Sequence, residues 1–187
     1  NTMVRLRVLA QLAQSGTPSW RVDVTDNTQG NAVYVMQGDL ISSGTSNGTR
    51  DQHAASGWTG SSYGQTRTAA PFAILDSTYQ ALQMLLSADA DISLSAVELR
   101  WSTENRAVGG IKANGAIGTS HYDGENMYIL GDADNDTDEY DRSVIQHEFA
   151  HYLEDTISRS DSIGGNHSLR SLSDMRLSFS EGFANAF

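Results

Sequence analysis

The residues best suited to chemistry stand together in His147-Glu148-Phe149-Ala150-His151. Two histidines four positions apart on a helix lie one above the other, with Cβ atoms about 5–6 Å apart. Both imidazoles can then reach one zinc ion at about 2.0–2.1 Å. Glu148 emerges to one side, where it can touch a water on the ion without ligating it. Zinc lowers the pKa of bound water toward about 7, and a neighbouring glutamate can take the proton as the water attacks a carbonyl. The plainer alternative is a solvated helix face with two unrelated histidines. The order and spacing of the three residues argue against it. A purely structural zinc site has no use for a base beside its ligands.

A catalytic zinc needs a third protein ligand and one open position. Glu154 and Ile157 occupy the places where a metzincin would carry glycine and histidine, which excludes that class. Glu181, in Ser180-Glu181-Gly182-Phe183-Ala184-Asn185, is the better candidate. Gly182 leaves room for close approach to the active-site helix. Asn185 follows Glu181 by one turn, within reach of the far nitrogen of a ligand histidine. Two alternatives stay open: Ser178-x-x-Glu181 has capping-box spacing, and Asp155, Asp161 or His167 can also ligate.

His147–His151 with a helix-borne Glu181 downstream resembles the gluzincin type of zinc metallopeptidase, whose best-known members are thermolysin-like. The wider stretch, from Asp132-Ala133-Asp134-Asn135-Asp136 to Ser180-Glu181-Gly182-Phe183, also resembles a group of uncharacterised exported bacterial proteins. The resemblance covers residues 132–187. It implies zinc ligation by His147, His151 and Glu181, general-base catalysis by Glu148, outer support by Asn185, and a protein or peptide substrate. Thermolysin-like members carry aspartate where this chain has Asn185, and a shorter spacer before the glutamate. Their oxyanion-stabilising residue lies farther downstream, so a chain ending at Phe187 would be an incomplete enzyme. The alternative function is a zincin-like binding or adhesion module that holds metal without turnover.

Around this motif, Ile145, Phe149, Tyr152 and Leu153 form an apolar stripe at helical spacing. Asp138 or Thr137 is placed to cap that helix, which should end near residues 158–161, before the loop Ser162-Ile163-Gly164-Gly165-Asn166. A last helix is expected from residues 178–181 onward. Upstream, Pro71 precedes Ile74, Leu75, Tyr79, Leu82, Leu85 and Leu86, spaced for an amphipathic helix over 73–86. Strands are expected near 97–102, 117–122 and 127–130, with Asp123-Gly124-Glu125-Asn126 turning between the last two. In the family resembled, an edge strand above the metal binds substrate by β-addition; residues 117–122 are the candidate. Alternation at Val4, Leu6, Val8, Ala10 and Leu12, then at Trp20, Val22 and Val24, then at Val33 and Val35, predicts an antiparallel β-meander. The expected organisation is a β-rich unit at 1–41, a Gly/Ser/Thr-rich loop or linker at 42–70, and a zincin-like region at 71–187. The fold class is α+β, a mixed sheet plus active-site helix preceded by a small antiparallel β unit.

Weaker signals complete the reading. Asp132, Asp134, Asp136 and Asp138 alternate as in a calcium loop, although Thr137 and Ser143 break the EF-hand pattern. Calcium is therefore a second candidate ion, against a solvated acidic helix entry. His167, in a glycine-flanked loop, and Tyr122, near the edge strand, are candidate transition-state or substrate contacts. Glu154 should face solvent or a neighbouring arginine. The formal net charge is −11, with Lys112 the single lysine, which disfavours phosphate backbones and anionic membrane surfaces. No apolar run reaches the roughly 18 residues that cross a bilayer. The absence of cysteine excludes disulfides and thiolate ligands. Scarce lysine with abundant Gly, Ser, Thr, Asn and Asp favours a secreted or periplasmic protein.

Overall fold

The computed structural model describes residues 2–165, 167–168 and 172–187; Asn166 of the predicted loop lies outside them. Its strands are β1 (Met3–Val4), β2 (Arg7–Leu9), β3 (Gln11–Gln14), β4 (Trp20–Asp26), β5 (Ala32–Val33), β6 (Val35–Gln37), β7 (Ile41–Ser42), β8 (Val97–Trp101), β9 (His121–Tyr122), β10 (Met127–Ile129), β11 (Gly131–Asp132) and β12 (Asp136–Thr137). The α-helices are α1 (Ala70–Ala88), α2 (Arg142–Ile157) and α3 (Met175–Ala186). The chain is mixed α and β, consistent with the α+β expectation. None of the described helices is long and apolar enough to cross a membrane.

The main sheet runs β3-β4-β8-β10-β9, with β5 also on β4. β4, β8 and β10 are mutually parallel, whereas β3 and β9 run antiparallel at the two ends. Parallel strands need long crossovers; α1 supplies the one between β4 and β8. Valines and other apolar residues alternate along β8, where Val97, Leu99 and Trp101 are buried. β10 is buried on both faces: Met127 and Ile129 join the main core, and Tyr128 packs with Ile117 and Leu130.

That core joins segments that the sequence reading kept apart. Ala10, Trp20, Val22 and Val24 share it with Ile74 and Leu82 of α1, and with Ile145, Phe149 and Leu153 of α2. Residues 1–41 therefore do not form a separate unit: β4 lies inside the sheet that carries the site, paired to β8 from Val22–Val97 through Thr25–Arg100. Nor is 4–12 one strand. β1 and β2 peel away into two-stranded ribbons with β7 and β6. Leu6 and Val8 are exposed there despite their alternation.

The segment 42–70 is a long loop tied down at its end. Arg67 is 5% exposed. It donates to Glu139 Oε1 at 2.5 Å and to the Gly131 carbonyl, and lies over the rings of Tyr63 and Trp101. Glu139 is fully buried just before α2, so this ion pair fixes the loop to the entry of the helix. Removing one member of a buried pair strands the other charge and costs about 3–5 kcal/mol. Arg67→Met should accordingly lower unfolding free energy by roughly 3–5 kcal/mol in urea titration. A loss below about 1 kcal/mol, the range of exposed pairs, would show that the pair anchors nothing.

Candidate metal centre

Helix α2 starts three to four residues later than the sequence suggested. Its cap is Asp141, whose Oδ1 accepts from the Ser143 and Val144 amides at 3.0 and 3.3 Å. Asp138 and Thr137 are committed elsewhere: Asp138 is turned inward to the Ser120 hydroxyl, and Thr137 pairs with Gly131 in a β-hairpin. The predicted stripe of Ile145, Phe149, Tyr152 and Leu153 is buried. Its burial turns the adjoining face, with His147 and His151, into a cleft of about 860 Å3.

Helix α3 also begins before its expected start, capped by Asp174 on the Arg176 amide. Ser178 and Glu181 are then interior to the helix, which removes the capping-box alternative. Leu177, Ser180 and Ala184 are its buried residues. Glu181 is carried beside them to the two histidines: Oε2 lies 3.3 Å from His147 Nε2, and Oε1 3.5 Å from His151 Nε2. The two Nε2 atoms are 3.2 Å apart. Atoms bound about 2.0–2.1 Å from a tetrahedral ion lie roughly 3.3–3.4 Å from one another. The two imidazoles are close to that spacing, each faces a different oxygen of Glu181 at a similar distance, and the donors are the nitrogen and oxygen types zinc accepts. Among the described residues, His147, His151 and Glu181 are the one group of three placed to hold a metal ion.

Glu148 stands beside this group rather than in it. Its Oε2 accepts the Tyr122 backbone N–H at 3.0 Å. Burial pushes its carboxyl up to about 7, against the opposing pull of that hydrogen bond. For His151, burial lowers the pKa and favours the neutral imidazole a metal requires, with Glu181 pulling the other way. Tyr122 is held at both ends, since its hydroxyl donates to Asp155 Oδ2 at 3.1 Å. Strand β9 is thereby pinned over α2. It is much shorter than the predicted 117–122; Ile117 instead bridges to Gly109. The predicted turn is present, with Asp123 Oδ1 accepting from the Glu125 and Asn126 amides.

His167 reaches the site. Its Nδ1–H donates to the Gly165 carbonyl at 3.0 Å, and Nε2 lies 3.1 Å from Glu181 Oε2. Asn185 does not reach a histidine; it is exposed and donates to the Glu181 carbonyl of its own helix at 2.8 Å. His151 Nδ1 lies instead against the Ser180 hydroxyl oxygen, at 3.2 Å. Ser180 carried no sequence signal beyond its adjacency to Glu181. Glu154, expected in solvent, is 6% exposed and accepts from the same hydroxyl. The acidic run does not gather as a calcium loop. Asp132 and Asp136 pair across the β11–β12 hairpin, Asp132 Oδ1 accepts from the Asp134 amide, and Asp138 is buried against Ser120. Among the described residues these aspartates form no group placed to hold a metal ion.

Comparison of the chain with protein families, curated proteins and solved structures finds no match.

A preformed site that binds an ion only when folded stabilises the fold by mass action, about 4 kcal/mol at a thousandfold excess over Kd. Zinc at that excess should raise Tm by roughly 8–16 °C for a domain of this size. The shift should vanish in His147→Ala and shrink in Glu181→Gln. Equal shifts in all three, by differential scanning fluorimetry, would place the ion elsewhere.

Proposed function

We propose that the chain is a zinc-dependent endopeptidase of the gluzincin type, with a zincin-like arrangement of sheet and helix. One observation carries the reading: a half-buried carboxyl, Glu148, lies next to three grouped potential ligands without joining them. His147, His151 and Glu181 would hold zinc, which supplies a Lewis acid and lowers the pKa of water. The antiparallel strand β9 at the sheet edge above α2 supports the family resemblance and the β-addition reading, as does the position of Glu181 on a following helix.

In this reading Glu148 is the general base. The Tyr122 amide holds Oε2, so Oε1 takes a proton from the attacking water. A carboxyl near 7 can both accept that proton and return it. As the water oxygen bonds to the carbonyl carbon and the C–N bond breaks, the proton passes to the amine nitrogen that leaves. His167, on the cleft wall, is the candidate donor to the developing oxyanion. The peptide would lie along β9, extending the sheet by main-chain hydrogen bonds.

Glu148→Gln keeps the shape and removes the base. Cleavage of a general protein substrate by the zinc-loaded protein should fall by about 10²–10⁴-fold, with zinc content unchanged. Retained cleavage in that variant would falsify the assignment of Glu148. Absence of cleavage by wild-type protein with full zinc content would instead favour the metal-holding, non-catalytic module.

A further inference from the structure

Glu154 has a buried carboxyl, and no lysine or arginine among the described residues forms an ion pair with it. Its nearest basic group, His151 Nδ1, is 4.0 Å away, too far for a direct hydrogen bond. Ser180 of α3, itself 3% exposed, fills the gap. Its hydroxyl donates to Glu154 Oε2 and lies 3.2 Å from His151 Nδ1. A serine hydroxyl has one proton. Once that proton is given to the carboxylate, the serine oxygen can only accept from the imidazole, so Nδ1 must be the protonated nitrogen. Nε2 then keeps its lone pair, directed toward His147 and Glu181.

We infer that Glu154 and Ser180 are positioning residues for the metal centre, a two-link chain that fixes the tautomer of His151 and ties it to the docking of α3. The inference rests on the metal-site reading and adds a part to it. The serine adjacent to Glu181 in sequence sets one histidine while Glu181 itself supplies the third ligand. A single helix contact therefore orders two of the three ligands. Outer partners of this kind are worth about 10–100-fold in metal affinity.

Two measurements test the chain. In the metal-free protein at mildly alkaline pH, imidazole 1H–15N correlation spectra should show His151 protonated at Nδ1, and Ser180→Ala should move that proton to Nε2. By chelator competition with zinc alone, Ser180→Ala should bind about 10–100-fold more weakly. Ser180→Thr, which keeps the hydroxyl, should stay within about threefold of wild type, well short of that loss. The double variant Ser180→Ala/Glu154→Gln should bind no more weakly than Ser180→Ala, since cutting one link already breaks the chain. A wild-type His151 protonated at Nε2 would overturn the inference, as would unchanged zinc affinity in a folded Ser180→Ala. If wild type shows the Nδ1 proton but takes up no zinc, the metal reading falls, and with it the purpose given to the chain.

Discussion

Two imidazole lone pairs and the two oxygens of one carboxylate, with contacts of about 3.5 Å or less, repel one another unless a cation or a proton lies among them. No local preference of the chain would assemble such a group. It must be imposed by packing elsewhere, and the rest of the structure is organised around that imposition. His147 and His151 come together cheaply, because one helical turn separates them. Glu181 does not: it stands thirty positions beyond His151, and only the seating of α3 on α2 delivers it.

The seating of α2 is secured by the core. Ile145, Phe149 and Leu153 are fully buried in a core that strands from both halves of the chain share, each contributing about 1.5–3 kcal/mol by leaving water. With that face fixed, the rotation of the helix about its axis is fixed too, and the histidines have one direction to point. The buried Arg67–Glu139 pair sets the height at which the chain enters the helix. The Tyr122 amide on Glu148 and the Tyr122 hydroxyl on Asp155 hold β9 against the far side. The cleft is thus bounded by three elements whose spacing is set by the core beneath it and by contacts within its own wall.

This division explains what could be read from the sequence. His147, His151 and the stripe beneath them were legible because both depend on helical period, a local property. Helix α1 and the turn after Tyr122 were legible for the same reason. The place of β4 inside the main sheet was not, since parallel pairing with β8 joins residues some 75 positions apart and leaves no mark in either strand. The caps were misjudged where a residue had a stronger tertiary partner: Asp138 prefers the buried Ser120 hydroxyl, which frees Asp141 for the helix. Asn185 had the right spacing on its helix, yet its amide is spent on the helix backbone. Ser180 and Glu154 were invisible because a serine and a glutamate on separate helices acquire meaning only when those helices dock.

Docking of α3 is also where the site is weakest. The helix buries only Leu177, Ser180 and Ala184, small surfaces beside those of α2. Met175 and Phe179 remain exposed on its other side. Apolar burial of that size cannot by itself hold a carboxylate against two imidazoles and a second half-buried carboxyl, Glu148. The polar contacts across the α2–α3 boundary must supply part of the hold, and a cation among the ligands would supply more. Metal binding and helix docking would then be two descriptions of one equilibrium. Each ligand that α3 orders would make an ion bind more tightly, and a bound ion would in turn fasten α3.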